Sequence, residues 1–151
     1  IFRKKDCAEK EFVKTKKLDE EYMARSFNDD TLKNILQKHK KGIIYAWSPH
    51  MPLSIKGLKN IKKLSKELGI KVYGVVDSNS PPESVRKVSL ERGISSLDQR
   101  KMESIELFMR GAALHFPSLL IFKDGKIKRN PKYGYEKKEE YEKDLLRFGF
   151  R

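Results

Sequence analysis

Residues 43–54 of the chain read IIYAWSPHMPLS and join two different sequence patterns. The run from Ile43 to Trp47 is apolar, with β-branched and aromatic side chains, and it predicts a strand that is buried on both faces. After Ser54 the apolar residues recur at helical spacing, so a helix is expected to begin near Ile55 with Ser54 as its cap. This segment therefore predicts a buried strand that passes through a short turn into a helix.

The helix that is expected after the turn is amphipathic. The apolar face is formed by Ile55, Leu58, Ile61, Leu64 and Leu68. The basic face is formed by Lys56, Lys59, Lys62, Lys63 and Lys66. Gly69 ends the helix, and the apolar run 70–76 (IKVYGVV) predicts a second buried strand. A strand, a helix and a strand within about 35 residues predict a βαβ unit in which the two strands are parallel neighbours.

The flanking segments add further elements to this unit. They are a strand over 22–27, a helix capped by Asn28 or Asp29 and stopped by Gly42, helices over 83–92 and 97–110, hairpin strands over 118–123 and 126–129 around Asp124-Gly125, and a C-terminal helix that turns Tyr141, Leu145 and Phe148 inward. Residues 1–21 are charge-dense and aperiodic, which predicts an N-terminal arm. No linker divides the rest, so residues 22–151 are expected to form one domain.

The composition limits the kinds of partner that the chain can have. With 34 lysines and arginines against 21 acidic residues, it carries a formal net charge of +13, which attracts anionic surfaces and polymers. The basic residues are spread along the chain without a polybasic tail or a recognition helix, and this pattern does not favour nucleic-acid binding. No uninterrupted apolar stretch approaches the ~20 residues of a membrane span. Cys7 is the only cysteine, so no intramolecular disulfide can form.

Three local signatures, in this order, make the chain resemble the thioredoxin-like superfamily, most closely the thiol-disulfide oxidoreductases of the bacterial cell envelope. The first is WSPHMPLS, which matches the family's Trp-[Ala/Ser]-x-x-Cys-x-x-Cys at the start of a long helix, with Met51 and Ser54 at the two cysteine positions. The second is Phe116-Pro117 before the strand SLLIF, and the third is the hairpin FKDGKI.

The resemblance covers about residues 22–148 and implies a thioredoxin-like α/β fold. In that fold a central mixed sheet is flanked by helices in three α/β/α layers. The resemblance also implies that Pro117 is cis and packs beside Met51. It further implies a location in the bacterial periplasm or cell envelope, although cytoplasmic relatives share the fold.

The two replaced cysteines decide the chemistry that is expected. In the redox-active relatives the first cysteine attacks as a thiolate and the second resolves the mixed disulfide. The thioether of Met51 has no ionisable proton, and the hydroxyl of Ser54 does not compete in disulfide exchange. Ser54 with His50 or His115 as a base lacks an orienting acid. We therefore expect no dithiol-disulfide oxidoreductase activity and no cofactor.

The groove that such a fold would retain is the leading hypothesis for function. We expect it to bind a peptide or protein partner, or to serve as a scaffold, because in the family the backbone beside this proline pairs with an extended peptide. Its predicted members are Trp47, His50, Met51, Pro52, Leu53, Phe116 and Pro117.

Two alternatives stay open from the sequence. The imidazoles of His50 and His115 and the thioether of Met51 are soft ligands that suit Cu(I), so a Cu(I)-handling protein is one alternative. The other is electrostatic docking on an anionic surface or polymer through Lys56, Lys59, Lys63, Lys66, Lys126, Lys128, Arg129 and Lys132.

Overall fold

The computed structural model describes residues 17, 25–103, 116–128 and 132–150. In chain order the elements are β1 (Ser26–Phe27), α1 (Asp29–Lys38), β2 (Lys41–Trp47), α2 (Pro52–Leu68), β3 (Lys71–Val76), α3 (Pro82–Glu91), β4 (Asp98–Met102), β5 (Ser118–Lys123), β6 (Lys126–Ile127), β7 (Lys132–Tyr133) and α4 (Lys138–Arg147). Apart from Lys17, the predicted arm over 1–21, with Cys7, lies outside the described residues, so it stays a prediction.

The strands form one mixed sheet in the order β1-β4-β3-β2-β5-β6, with β7 also paired to β5. The neighbours β1 and β4, β4 and β3, and β3 and β2 are parallel, whereas β5 runs antiparallel to β2. The predicted βαβ unit is confirmed, since β3 pairs in parallel with β2 along the whole length of β3, with α2 between them in the chain. The apolar run of β2 lies next to the centre of the sheet because neither face of the strand is polar enough to be exposed to water.

Helices cover both faces of the sheet and enclose a separate apolar cluster on each side. Alternate residues of β2 point to opposite faces, so Ile43 and Tyr45 pack with α2, α3 and α4, whereas Ile44 and Ala46 pack with α1. The fold is therefore α/β with a mixed sheet between helical layers, as the resemblance implies. Among the described residues, no helix is both long and apolar enough to cross a membrane.

The segment from residue 97 onward differs from its prediction. A helix is expected over 97–110, but Asp98–Met102 forms β4, which pairs with β3 on one side and β1 on the other. Its residues (DQRKM) have little intrinsic preference for a strand, so their conformation is set by the backbone groups of the two neighbouring strands. Residues 104–110 lie outside the described part of the chain.

Most other elements lie where the sequence predicts them. Asn28 is the cap of α1, and its Oδ1 accepts the N–H of Thr31 at 2.9 Å. The turn between β5 and β6 uses Asp124 and Gly125, both with positive φ, as a tight hairpin requires. The predicted strand over 22–27 is described only at Ser26–Phe27, and β7 was not predicted.

A buried tyrosine connects β2 to the first turns of α2. The hydroxyl of Tyr45 donates to the carbonyl oxygen of Ser54 at 2.9 Å, and burial raises the pKa of Tyr45 well above its usual value, so this donor keeps its proton. Gly57, one turn further along α2, leaves the space that the hydroxyl fills, because a Cβ there would overlap Tyr45 Oη. Close contact between strand and helix thus depends on glycine at this position.

This contact predicts an unusual effect of an alanine in a helix. Alanine normally stabilises a helix interior by about 1 kcal/mol relative to glycine. We expect Gly57→Ala instead to lower the free energy of unfolding, measured by urea denaturation, by about 1–3 kcal/mol through overpacking. Adding Tyr45→Phe removes the overlapping oxygen, so the double variant should lose less than the sum of the two single variants. Additive losses would contradict the steric explanation.

Candidate functional site

The candidate site lies at the edge of the sheet where β2 and β3 end. The two parallel strands end together, and Asp77 N–H donates to the carbonyl oxygen of Trp47 at 3.0 Å just beyond their last residues. The chain then continues from β2 into α2 through residues 48–54, which we call the corner. Because the carboxyl ends of parallel strands meet at one edge, the corner and the turn after β3 lie side by side.

The predicted proline reaches the same edge from the other side of β2. β5 is antiparallel to β2 and pairs Ser118 with Ala46, which brings the preceding Pro117 level with the end of β2. The Phe116–Pro117 peptide bond is cis. Pro117 is buried and Phe116 is half-buried.

Ser54 holds the corner together from inside the protein. Its side chain is fully buried; its Oγ accepts the N–H of Ser48 at 3.1 Å and lies 2.9 Å and 2.7 Å from the carbonyl oxygens of Ser48 and Met51. α2 begins at Pro52 with Met51 as N-cap, so Ser54 is the third residue of the helix. The prediction that Ser54 caps a helix starting near Ile55 is wrong, because the fixed φ of Pro52 suits the first helical position.

Asp77 anchors the corner from the side of β3. Its carboxylate accepts hydrogen bonds from Ser48 Oγ and Ser80 Oγ, each at 2.6 Å, and from Asn79 N–H at 2.7 Å. Burial alone would raise the pKa of Asp77, but these hydrogen bonds and the nearby His50 hold it below its usual value. Ser48 Oγ also accepts the N–H of His50 at 3.3 Å, so the ionised carboxylate orients the exposed part of the corner through Ser48.

Trp47, predicted in the groove, lies in the core beneath it. Its side chain is 0% exposed, and its Nε1–H donates to Gln99 Oε1 at 2.9 Å. Gln99 is itself buried in β4, and its Nε2 lies 3.4 Å from the carbonyl oxygen of Ile94. Gly74 leaves room for the Gln99 amide, since a Cβ there would overlap Gln99 Oε1. Trp47 therefore supports the corner from below and offers no side-chain surface to a ligand.

The outer surface of the corner is apolar and open. Met51 is 46% exposed and Leu53 is 57% exposed, and they are two of the five large hydrophobic side chains that the described part of the chain leaves exposed. His50 and Pro52, between and beside them, are exposed as well. Four consecutive residues of the predicted groove thus form one accessible patch above the hydrogen-bonded frame.

The structure describes two of the three side chains predicted as copper ligands. His50 and Met51 are adjacent in the corner, but His115 lies outside the described residues. Within the described ranges, no group of three or more histidine, cysteine, aspartate or glutamate side chains is placed to hold a metal ion. The Cu(I) site therefore stays a sequence prediction.

Sequence reasoning missed the residues that build the frame. Ser48, Tyr45 and Gln99 each make a buried hydrogen bond that fixes the corner or the tryptophan below it. Only Asp77 carried a local signal, because an aspartate that follows a strand in DSNS is typical of a side chain that caps its own turn. The partners of Tyr45 and Gln99 lie 9 and 52 residues away, which a local pattern does not reveal.

No protein-family model and no curated protein matches the chain. Solved structures do match it. A secreted disulfide oxidoreductase of Mycobacterium tuberculosis matches with a TM-score of 0.55 at 8% identity, over 72% of this chain and 81% of that one. StoA from Bacillus subtilis matches with a TM-score of 0.53 at 14% identity, over 69% and 81%.

A third similar structure is the exposed lipoprotein thioredoxin of Streptococcus pneumoniae. It matches with a TM-score of 0.54 at 16% identity, over 74% of this chain and 89% of that one. At identities this low, the likeness establishes the fold alone. The chain has the thioredoxin-like fold.

The Asp77 frame predicts a specific dependence of stability on pH. A carboxyl whose pKa is lower in the folded than in the unfolded protein stabilises the fold above its unfolded pKa of about 3.8, and this contribution is lost as pH falls through the folded value. We expect the difference in unfolding free energy between the native chain and Asp77→Asn, measured in urea, to be largest near pH 6 and to shrink between about pH 4 and 2.

The exposed carboxylate of Glu91 provides the matched control for this measurement. Glu91→Gln removes the same charge at the far end of α3, and it should produce no comparable pH-dependent difference. A difference for Asp77→Asn that stays constant from neutral to acidic pH would contradict the role of the ionised carboxylate.

Proposed function

We propose that the chain is a redox-inactive thioredoxin-like domain that binds an extended peptide segment of a partner protein at the outer surface of the corner. The observation that carries the proposal is the exposure of Met51 and Leu53 on a corner that is otherwise fixed by buried hydrogen bonds. Solvent-exposed apolar side chains on a rigid support favour binding, since little ordering is needed when a partner covers them.

The chemistry of positions 51 and 54 supports the redox-inactive part of the proposal. Disulfide exchange needs a thiolate at the helix N-terminus and a second thiol to resolve the mixed disulfide. Met51 offers a thioether, and the Ser54 hydroxyl is buried and engaged with the backbone of Ser48 and Met51. Neither group supplies a leaving sulfur or a nucleophile that competes with a thiolate.

The choice of an extended peptide follows from the neighbourhood of the corner. In thioredoxin-like proteins, which this chain resembles, the backbone beside the equivalent proline pairs with an extended substrate, and here Pro117 lies level with the end of β2. Met51 is well suited to such a surface because its unbranched, polarisable side chain adapts to different apolar partners. The exposed Leu53 extends the same contact along the first turn of α2.

We also propose a location in the bacterial cell envelope. The support is that similar folds include a protein described as secreted and one described as an exposed lipoprotein. Detection of the protein in the cytoplasmic fraction alone, after fractionation of the cells that produce it, would rule this location out.

The peptide-binding proposal predicts the effect of charges on the corner. With a panel of uncharged, extended decapeptides of alternating apolar residues, we expect Met51→Asp or Leu53→Asp to weaken binding by about tenfold or more, because an apolar contact worth about 1.5 kcal/mol or more is lost. Fluorescence anisotropy measures the affinity. Leu90→Asp is the matched control, since Leu90 is 63% exposed on α3, at the end far from the corner. Equal affinities for the native chain and both corner variants would contradict the proposal.

The redox proposal predicts a gain of activity when sulfur is restored. We expect the native chain to show no reduction of insulin by dithiothreitol above background. Met51→Cys/Ser54→Cys should accelerate it, because position 51 lies at a helix N-terminus that lowers a thiol pKa and position 54 lies one turn behind it. Met51→Cys alone is the control, as it lacks the resolving thiol. Activity of the native chain itself would overturn the proposal.

A further inference from the structure

A surface hollow lies between α2 and the turn that follows α3, away from the corner. Its volume is about 370 Å³, and it is lined by Lys59, Lys62, Lys63, Lys66, Arg92 and Gly93. We call it the cationic hollow, because each of the five side chains that the described residues contribute to its lining is positively charged.

The helical spacing of α2 places its four lysines together. They occur at relative positions 0, 3, 4 and 7, which share one side of a helix. The opposite wall comes from the end of α3, where Gly93 has a φ of +70°, a conformation that side chains rarely adopt. In this turn the Gly93 carbonyl oxygen accepts a hydrogen bond from Lys62 Nζ at 2.6 Å. This contact bridges the two walls of the hollow.

The charges of the hollow have no ion-pair partner among the described residues. In the parts of the chain that the structure describes, no carboxylate lies within ion-pair distance of the four lysines or of Arg92. Glu67, the single acidic residue of α2, pairs instead with Lys138 of α4. Like charges three and four residues apart on a helix repel one another and destabilise it. An anion in the hollow would remove this repulsion.

We infer that the cationic hollow binds a compact ligand that carries several phosphate groups. Lysine ammonium groups bind phosphate as point charges, and the guanidinium of Arg92 can contact phosphate oxygens with two donors at once. Several cations around one concavity favour a multivalent anion over chloride, since each phosphate can face more than one cation. The close grouping of the five cations favours a ligand that concentrates its charge over one that spreads it along a polymer. This inference does not depend on the proposed peptide site.

The effect of charge removal from the hollow tests the assignment. With the full chain in low-salt buffer, we expect sodium tripolyphosphate to bind with a 1:1 stoichiometry by isothermal titration calorimetry and to weaken as salt is raised. Lys63→Gln/Lys66→Gln should raise the dissociation constant on the order of tenfold or more, because charge-assisted contacts are lost. Both lysines are exposed, so the fold should survive, and circular dichroism checks this.

A matched variant separates the hollow from the overall charge. Lys126→Gln/Lys128→Gln removes the same two charges from the β5–β6 hairpin and its end, and it should change the dissociation constant by less than about twofold at moderate salt, where fields are screened within ~10 Å. Equal weakening by the two double variants, or no binding of tripolyphosphate to the native chain, overturns the inference.

A second arm distinguishes the source of the phosphate. Cardiolipin vesicles, whose headgroup carries two phosphates, identify a lipid headgroup as the ligand if they bind the native chain, lose affinity for Lys63→Gln/Lys66→Gln and are displaced by tripolyphosphate. Tripolyphosphate binding without vesicle binding identifies a soluble phosphate ligand. Vesicle binding that is unchanged in Lys63→Gln/Lys66→Gln, with no binding of tripolyphosphate, contradicts the hollow as the anion site.

Discussion

The buried hydroxyl of Ser54 links the first residue of the corner, Ser48, to the first turn of α2, and the geometry of the candidate site depends on that link. It accepts the N–H of Ser48 and lies within hydrogen-bond distance of two carbonyl oxygens, while its own carbonyl oxygen accepts the hydroxyl of Tyr45. The bonds to Ser48 and Tyr45 are buried, so breaking one of them would leave a polar group without water to replace it. Loss of these hydrogen bonds would therefore destabilise both the end of β2 and the start of α2.

The frame holds the shape of the corner through hydrogen bonds between oxygen and nitrogen atoms, without sulfur chemistry. The Ser54 hydroxyl is engaged with the backbone of Ser48 and Met51, so it serves the geometry of the corner. Asp77 completes the frame through Ser48, and it does so best when ionised. A corner fixed in this way can present Met51 and Leu53 to a partner at little entropic cost, although neither residue can exchange a disulfide.

The sequence predicts the centre of this fold better than its edges and its site frame. Ile43 to Trp47 and the apolar face of α2 carry strong periodic signals, because burial on two faces or one stripe leaves few other arrangements. β4 carries no such signal. Its residues Asp98 and Arg100 form an ion pair at 3.0 Å, and pairing with its neighbours holds the strand in place. The frame was missed for a related reason. Tyr45 and Gln99 act through partners that become neighbours only after the sheet has formed, so no local sequence pattern predicts these hydrogen bonds.

The two surfaces proposed for this chain are both built on α2, yet they can act independently. Leu53 lies in its first turn, whereas the lysines of the hollow, from Lys59 to Lys66, lie 6 to 13 residues further on, which at 1.5 Å per residue is about 9–20 Å along the axis. Fields between exposed charges are largely screened beyond ~8 Å at physiological ionic strength. Occupation of the cationic hollow should therefore leave the apolar contact at Met51 and Leu53 nearly unchanged. The two kinds of binding then respond differently to salt, because apolar burial carries no net charge whereas phosphate binding displaces counterions.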